Sequence, residues 1–129
     1  MKYLLFCCHE EKKLTALSKS GLDALTDETS VYCEELQKSG HLIAAEPLEP
    51  IQMAITVRVQ NGKVSVTDGP YAETKEMVAG FYVIEARDLN EAIAVAARIP
   101  AAPLGVVEVR PCRDLEIDGV PHVASSKPR

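Results

Sequence analysis

The feature that most restricts the fold is a pair of short runs within residues 55–68 in which apolar and polar residues alternate. The apolar positions are Ile55, Val57, Val59, Val64 and Val66. Asn61-Gly62 separates the two runs, and this dipeptide is preferred in the type I′ turn of two-residue hairpins. Such a loop places Val59 opposite Val64 and Asp68 opposite Ile55, so the turn and the hydrophobic pattern agree on one register. The sequence therefore predicts an antiparallel hairpin.

Strands and helices alternate in the rest of the chain. Apolar runs predict strands over residues 2–8, 41–46, 80–86 and 105–110, and helical spacing covers residues 14–36 and 88–97. We expect Ser20-Gly21-Leu22-Asp23 to cap the first long helix after a short turn, and Ser39-Gly40 to end it. The order is β-α-β, hairpin, β-α-β. With both helices on one face of one sheet, it predicts an α+β, ferredoxin-like domain with an inserted β-hairpin.

The same pattern predicts the domain boundary and the assembly. No periodicity is visible from Arg113 onward, so we interpret residues 1–112 as the domain and 113–129 as a C-terminal tail whose last residues, 125–129, fray. The predicted strands 2–8 and 80–86 carry apolar residues on both faces, whereas two helices cover only one face of a sheet. We therefore expect a homodimer that buries the second face.

Charge and hydropathy narrow the functional classes. The 129 residues carry a net charge of −5 and no dense cluster of Lys or Arg, which argues against nucleic-acid binding. No apolar run approaches the roughly 20 residues that a membrane helix needs. Residues 1–8 are too short for the apolar part of a signal peptide, and charged residues follow at once. We interpret them as a buried strand of a cytoplasmic protein.

The cysteines and histidines give no pattern of a metal site. Cys7, Cys8, Cys33 and Cys112 form no C-x-x-C pair, and the three histidines are widely scattered. In a strand, Cys7 and Cys8 point to opposite faces, which leaves Cys7-Cys8-His9 a weak fragment of a site. We expect four reduced cysteines, no metal and no cofactor. A P-loop, a dinucleotide fingerprint and a G-x-S-x-G elbow are all absent from the sequence.

One ten-residue stretch carries a family resemblance. Residues 67–76, Thr-Asp-Gly-Pro-Tyr-Ala-Glu-Thr-Lys-Glu, followed by Gly80-Phe81-Tyr82, resemble the signature of the DGPF proteins of the YCII-related superfamily. Shorter pieces fit in order from residue 1 to about residue 112. The resemblance implies a dimeric α/β barrel of ferredoxin-like type, related in shape to muconolactone isomerase, and no established activity. Some members of this branch are encoded beside, or fused to, extracytoplasmic-function sigma factors.

The chain departs from the family pattern at several points. Tyr71 replaces the family phenylalanine, Val78-Ala79-Gly80 replaces the common Leu-Gly-Gly, and the tryptophan usual in the first helix is absent. The YCII-like branch also places a proposed catalytic histidine on the first helix, whereas residues 14–39 contain no histidine. This departure argues against borrowing the mechanism of that branch.

Two residues are the favoured catalytic acid/base groups. His41 is either a partly exposed histidine at a helix end or a general acid or base, since histidine titrates near neutrality. Asp68 either forms the turn of Asp68-Gly69-Pro70 or lines a pocket at the end of the sheet. Because both residues lie at strand ends of what we expect to be one sheet, we predict that Asp68 orients His41. His9 and His122 are weaker candidates.

Substrate-binding residues are predicted around the same loop. The residues are Tyr71, Glu73, Lys75 and Arg58. Lys75 is the candidate for holding an anionic substrate group. Arg58, Glu108 and Arg110 project from strands, where they either bind a carboxylate-bearing ligand or form solvated cross-strand pairs.

The residues leave two functions open. The first is a small-molecule-binding protein or a cofactor-independent enzyme that transfers a proton, as lyases and isomerases do, in a pocket of the dimeric barrel. The second is a non-catalytic interaction or regulatory protein associated with an extracytoplasmic-function sigma factor. A closed pocket with convergent polar groups favours the first function, and a solid interior favours the second.

Overall fold

The computed structural model describes residues 1–121, so His122 and the end that is predicted to fray lie outside the described residues. The elements follow one another as β1 (Lys2–His9), α1 (Glu11–Thr15), α2 (Lys19–Lys38), β2 (Leu42–Pro47), β3 (Ile55–Gln60), β4 (Lys63–Asp68), β5 (Met77–Glu85), α3 (Leu89–Ala97), β6 (Gly105–Pro111), β7 (Glu116–Ile117) and β8 (Val120–Pro121). Short 3-10 turns at Ile51–Met53 and Ala102–Leu104 precede β3 and β6. In this part of the chain, no helix is both long enough and apolar enough to cross a bilayer.

Four strands form the main sheet, in the order β2-β5-β1-β6 with every neighbouring pair antiparallel. The two halves, β1-α2-β2 and β5-α3-β6, interleave so that β1 and β5 lie at the centre. This arrangement is the predicted ferredoxin-like α+β fold, and the β3-β4 hairpin is the insertion between the halves.

The core lies between the sheet and the helices α2 and α3. Along β1 the buried residues alternate with half-buried ones, so that Tyr3, Leu5, Cys7 and His9 share the helix-facing side. Tyr82 and Ile84 of β5 meet them there, together with buried residues of both helices: Tyr32, Leu36, Ala92, Val95 and Ala96. The opposite face of the sheet has no helix upon it among the described elements.

The long helix begins two residues earlier than the sequence predicts. Ser18 is its N-cap, because the Ser18 Oγ accepts a hydrogen bond from the backbone N–H of Gly21 at 3.0 Å. Ser20, the predicted cap, lies inside the first turn. The predicted end is confirmed, since Ser39 is the C-cap and Gly40 follows in the left-handed region with a φ of 81°.

The hairpin has the predicted register but a different setting. Ile55 pairs with Asp68, and Val59 pairs with Val64 around Asn61-Gly62. Both turn residues have positive φ, 51° and 75°, as a type I′ turn requires. However, β3 and β4 form a two-stranded sheet of their own. The expectation that Asp68 ends a strand of the sheet that also holds the strand after His41 is therefore wrong.

The region after residue 112 contains one element that the sequence pattern does not predict. β7 and β8 pair as a second small hairpin, with Ile117 opposite Val120. Asp118 and Gly119 turn between them with φ values of 51° and 77°. Strands of two residues are too short to show a period of two, which is why alternation gave no sign of them.

Candidate functional site

A cavity of about 650 Å³ opens between the first part of α2 and the helix-facing side of the sheet. Its volume falls in the range of sites for small molecules, roughly 300–1,000 Å³. Residues from three walls line it: Leu22, Leu25, Thr26, Thr29 and Cys33 on α2, Cys7, His9, Ala45 and Tyr82 on the sheet, and residues 46–52 on the connection after β2.

The cavity exists because α2 packs along only part of its length. The buried residues of this helix, Tyr32 and Leu36, both lie in its last two turns. Leu22, in its first turn, leaves 40% of its surface exposed although it faces the cavity. The first half of the helix therefore carries apolar side chains, Leu22 and Leu25, that are only partly covered, and they form an apolar wall.

His9 is the titratable group with the most unusual position in this cavity. It ends β1 on the helix-facing side and is only 5% exposed. Its Nδ1 lies 3.1 Å from the carbonyl oxygen of Glu10. A carbonyl can only accept, so Nδ1 carries the hydrogen, and Nε2 of the neutral ring is then the unprotonated nitrogen.

The Nε2 of His9 has no hydrogen-bond partner among residues 1–121. Among the same residues, every fully buried side-chain nitrogen or oxygen has a hydrogen-bond partner. The Nε2 atom is therefore not fully buried. His9, whose Nε2 no described residue engages, is one of the residues that line the cavity.

Two other polar groups on the sheet side of the cavity, the Cys7 thiol and the Tyr82 hydroxyl, stay uncharged near neutral pH. Burial raises the pKa of the Cys7 thiol to about 11, and the neighbouring Cys8 adds to the effect. Burial also raises the pKa of the Tyr82 hydroxyl well above its ordinary value, with further contributions from Cys33 and Cys7. These groups offer neutral hydrogen-bonding atoms and no charge.

A carboxylate holds in place the connection after β2, which forms one wall of the cavity. The Glu11 carboxylate of α1 accepts a hydrogen bond from the backbone N–H of Ile51, with its two oxygens at 3.0 and 3.5 Å. On the other side of this segment, the N–H of Leu48 donates to the carbonyl of Ala79 at 2.9 Å. The segment 48–51 is therefore fastened both to α1 and to β5.

His41 lies outside this cavity, in a more open depression between α2 and α3. Its Nδ1 is 2.6 Å from the Oγ of Ser39, and its Nε2 donates to the Glu91 carboxylate at 3.0 Å. Both ring nitrogens are thus engaged, and neither contacts Asp68. The expected orientation of His41 by Asp68 is replaced by Ser39 and Glu91, while the catalytic roles of His41 and Asp68 stay predictions.

Asp68 and the loop after it lie at the base of the hairpin. The N–H of Gly69 donates to the carbonyl of Ala54 at 2.8 Å, and the Thr56 hydroxyl donates to the carbonyl of Gly69, also at 2.8 Å. Asp68 itself is exposed. These contacts form the turn after β4 without the Asp68 side chain, so both expected roles of Asp68 stay predictions.

None of the four predicted substrate-binding residues is among the described residues that line the cavity. The guanidinium of Arg58 lies over the ring of Tyr71, 5.8 Å from its centroid. The Nζ of Lys75 lies 3.6 Å from a carboxylate oxygen of Glu10, the residue after His9. Glu73 is exposed. The structure thus brings Arg58 and Tyr71 together, and it brings Lys75 to the end of β1.

A signal for His9 was present in the sequence. Continuing the alternation of β1 by one residue puts residue 9 on the same side as Tyr3, Leu5 and Cys7. The predicted strand, residues 2–8, ends one residue before the observed β1 and therefore leaves His9 out.

Comparison with known proteins places the chain in a family. Residues 1–116 match the family model of the YCII-related domain. The chain belongs to the YCII-related family. An uncharacterised protein of Rhizobium meliloti (strain 1021) is 34% identical to this YCII-related protein over 113 residues, which are 86% of this chain and 91% of that one.

One solved structure is similar to this YCII-related protein in fold. It is the 5-chloro-2-hydroxyhydroquinone dehydrochlorinase TftG from Burkholderia phenoliruptrix AC1100, in complex with 2,5-dihydroxybenzoquinone. The TM-score is 0.52 at 15% sequence identity, and the match covers 88% of this chain and 95% of TftG. At this identity the likeness concerns the fold.

Proposed function

We propose that this protein binds a small ring-shaped molecule in the cavity and transfers a proton on it without a cofactor, with His9 as the acid/base group. The observation that carries the proposal is that His9 lines the 650 Å³ cavity while its Nε2 has no hydrogen-bond partner among the described residues. A neutral imidazole in such a place can take a proton from a bound C–H or O–H group.

The contact of His9 with Glu10 supports both halves of a proton transfer. While Nδ1–H donates to the Glu10 carbonyl, Nε2 holds the lone pair that receives the proton. The imidazolium that forms keeps the same contact and returns the proton to another atom of the ligand. The transfer consumes no oxidant or reductant, because the same proton leaves and rejoins the molecule.

The relation to TftG supports the class of ligand. That protein is named a dehydrochlorinase of a chlorinated hydroxyhydroquinone, and it holds a dihydroxybenzoquinone. Molecules of one ring with hydroxyl groups fit a cavity of the size found here, and hydroxylated rings exchange ring protons through keto tautomers.

Deuterium exchange tests the proposal directly. Hydroxyhydroquinone is incubated anaerobically in D₂O with the protein, and NMR follows the loss of its ring protons. We expect the wild-type protein to accelerate the exchange and the His9→Asn variant to return it to the rate without protein. The matched control is His41→Asn, which changes the histidine outside the cavity and should leave the acceleration intact. Acceleration that survives His9→Asn and disappears with His41→Asn would instead support the catalytic role predicted for His41.

We further propose that the open face of the main sheet joins two copies of the chain. Leu4 and Phe6 of β1 lie opposite Val83 and Phe81 of β5 on this face, and all four are only half-buried. Such apolar surface favours association. In light scattering at micromolar concentration we expect a dimer, a monomer for Phe6→Glu, and a dimer for the control Ile93→Glu, which places the same charge on α3. A monomeric wild-type protein would exclude this arrangement.

The association with an extracytoplasmic-function sigma factor stays a prediction. The presence of a cavity lined by a few polar groups favours the ligand-binding function over it.

A further inference from the structure

We infer that the cavity takes an uncharged ligand that donates a hydrogen bond, such as a phenol or an enol, and that it rejects carboxylates. This inference rests on the proposed function, because it concerns the same cavity. It differs from the expectation that cationic residues would hold an anionic substrate group.

The charges around the cavity argue against an anion. Three carboxylates, those of Glu11, Glu46 and Glu49, line it against the single ammonium group of Lys12. The ammonium also lies 3.9 Å from a carboxylate oxygen of Glu10, so part of its field is already balanced. The net negative charge of these lining residues would repel an anion. The anion would also lose its hydration against the apolar residues of the cavity, and both effects weaken binding.

The cations that were candidates for an anionic group lie elsewhere. Lys75 contacts Glu10, and Arg58 lies over Tyr71. Neither residue lines the cavity. The described part of the chain therefore directs no arginine into this space.

Two threonine hydroxyls of α2 that line the cavity can only accept hydrogen bonds from a ligand. The Thr29 hydroxyl donates to the carbonyl of Leu25 at 2.8 Å, and the Thr26 hydroxyl donates to the carbonyl of Leu22 at 3.0 Å. Because each hydroxyl already donates its hydrogen to a backbone carbonyl, it can only accept a hydrogen bond from a ligand. The Nε2 of His9 is an acceptor because the hydrogen of the neutral ring is on Nδ1, which contacts the Glu10 carbonyl. The hydroxyl of Tyr82 and the amide of Gln52 can donate or accept, so they do not discriminate between ligands.

An acceptor that a bound ligand leaves unsatisfied weakens binding. A ligand with an O–H group can satisfy His9 or Thr29, whereas an ether of the same size covers these atoms without pairing them. One lost hydrogen bond corresponds to about a tenfold loss of affinity.

Three matched naphthalenes test the inference by calorimetry at pH 7. The probes are 2-naphthol, which is neutral and donates, 2-methoxynaphthalene, which is neutral and does not donate, and 2-naphthoate, which is an anion. We expect 2-naphthol to bind at least about tenfold more tightly than 2-methoxynaphthalene, and 2-naphthoate to bind most weakly. Equal or tighter binding of 2-naphthoate would overturn the inference and leave a ligand-binding cavity in place.

Variants locate the effect. Leu25→Trp fills the cavity and should abolish binding of 2-naphthol, whereas Ile93→Trp, on the outer side of α3, should not. Thr29→Val removes one acceptor at nearly constant shape and should narrow the gap between 2-naphthol and its ether. Glu46→Lys should improve the binding of 2-naphthoate. Failure of all three probes to bind the wild-type protein would contradict both the inference and the proposed function.

Discussion

Gly105 lies against His9 so closely that a Cβ atom on Gly105 would stand 2.9 Å from both the Cα and the Cβ of His9. The same atom would also overlap the carbonyl oxygen of Cys8. Gly105 pairs with His9 across β1 and β6, so the end of β1 keeps its place only beside a residue without a side chain. The position of the candidate acid/base group thus depends on a glycine about 100 residues away in the chain.

We expect Gly105→Ala to displace the end of β1 and to lower the free energy of unfolding by about 1–3 kcal/mol, as overpacking does. The acceleration of ring-proton exchange should fall together with stability. Urea unfolding and the exchange assay check the two effects. Gly21→Ala is the control, because its Cβ would meet only the Oγ and Cβ of side chains, at 3.2 and 3.8 Å. An unchanged stability and an unchanged exchange rate in Gly105→Ala would contradict the close approach.

A second prediction concerns acid stability at the contact of Glu91, in α3, with His41, which follows α2. The backbone N–H of Arg87 and the His41 side chain, followed by the charge of Arg87, hold the pKa of Glu91 below its ordinary value of 4.5. A carboxyl whose pKa is lowered by folding stabilises the protein above its ordinary pKa, and the contribution is lost as the pH falls through the folded pKa. The Glu91→Gln variant should therefore be less stable than the wild type at pH 7.

The difference between Glu91→Gln and the wild type should shrink as the pH falls below about 4.5. Urea midpoints at pH 7 and pH 3 measure it. Glu34→Gln, an exposed change on α2, should follow the wild type at both pH values. A constant gap between Glu91→Gln and the wild type over this range would show that the carboxylate charge contributes nothing there.

The hairpin shows which part of the fold local sequence can predict. The register of β3 on β4 follows from the Asn61-Gly62 turn and the period of two, both of which are properties of neighbouring residues. The sheet to which a strand belongs is a property of distant pairings. For that reason the register was correct, while the placement of Asp68 in the main sheet was wrong.

The start of α2 and the candidate site also depend on contacts that local sequence does not show. Ser18 and Ser20 are both suitable caps, and only the contact of Ser18 with the Gly21 N–H decides between them. His41 has the residue type and the strand-end position of a catalytic base, yet Glu91, 50 residues later, occupies one of its nitrogens. The alternation of β1 indicates the face on which His9 lies, but the cavity beside it depends on the packing of α2, which no pattern within β1 contains.

A third prediction concerns thiol reactivity. Burial raises the pKa of Cys7 to about 11, so little thiolate is present at pH 8. Iodoacetamide should then modify the exposed Cys112 first and Cys7 last, with the rate at Cys7 rising as the pH approaches 11. Mass spectrometry of a time course resolves the individual cysteines. Denatured protein should titrate as four thiols, and Cys112→Ser should remove the fast phase without altering Cys7.

The last prediction concerns the wall of the cavity that the Glu11 carboxylate fastens. Residues 48–51 are held to the rest of the chain by the N–H of Leu48 at one end and by the contact of Glu11 with the Ile51 N–H at the other. A hydrogen bond to a charged group contributes about 1.5–3 kcal/mol. Glu11→Ala should therefore let the Ile51 amide exchange with deuterium roughly 10- to 100-fold faster.

The loosened wall in Glu11→Ala should also weaken the binding of 2-naphthol, since residues 48–51 line the cavity. Lys13→Ala is the matched control, because Lys13 is an exposed residue of the same short helix. Hydrogen exchange followed by NMR measures Ile51, and calorimetry measures binding. Faster exchange at Ile51 with unchanged affinity would separate the fastening of this segment from ligand binding. Unchanged exchange at Ile51 would show that Glu11 does not hold the wall, and that the contact of Leu48 with Ala79 is sufficient.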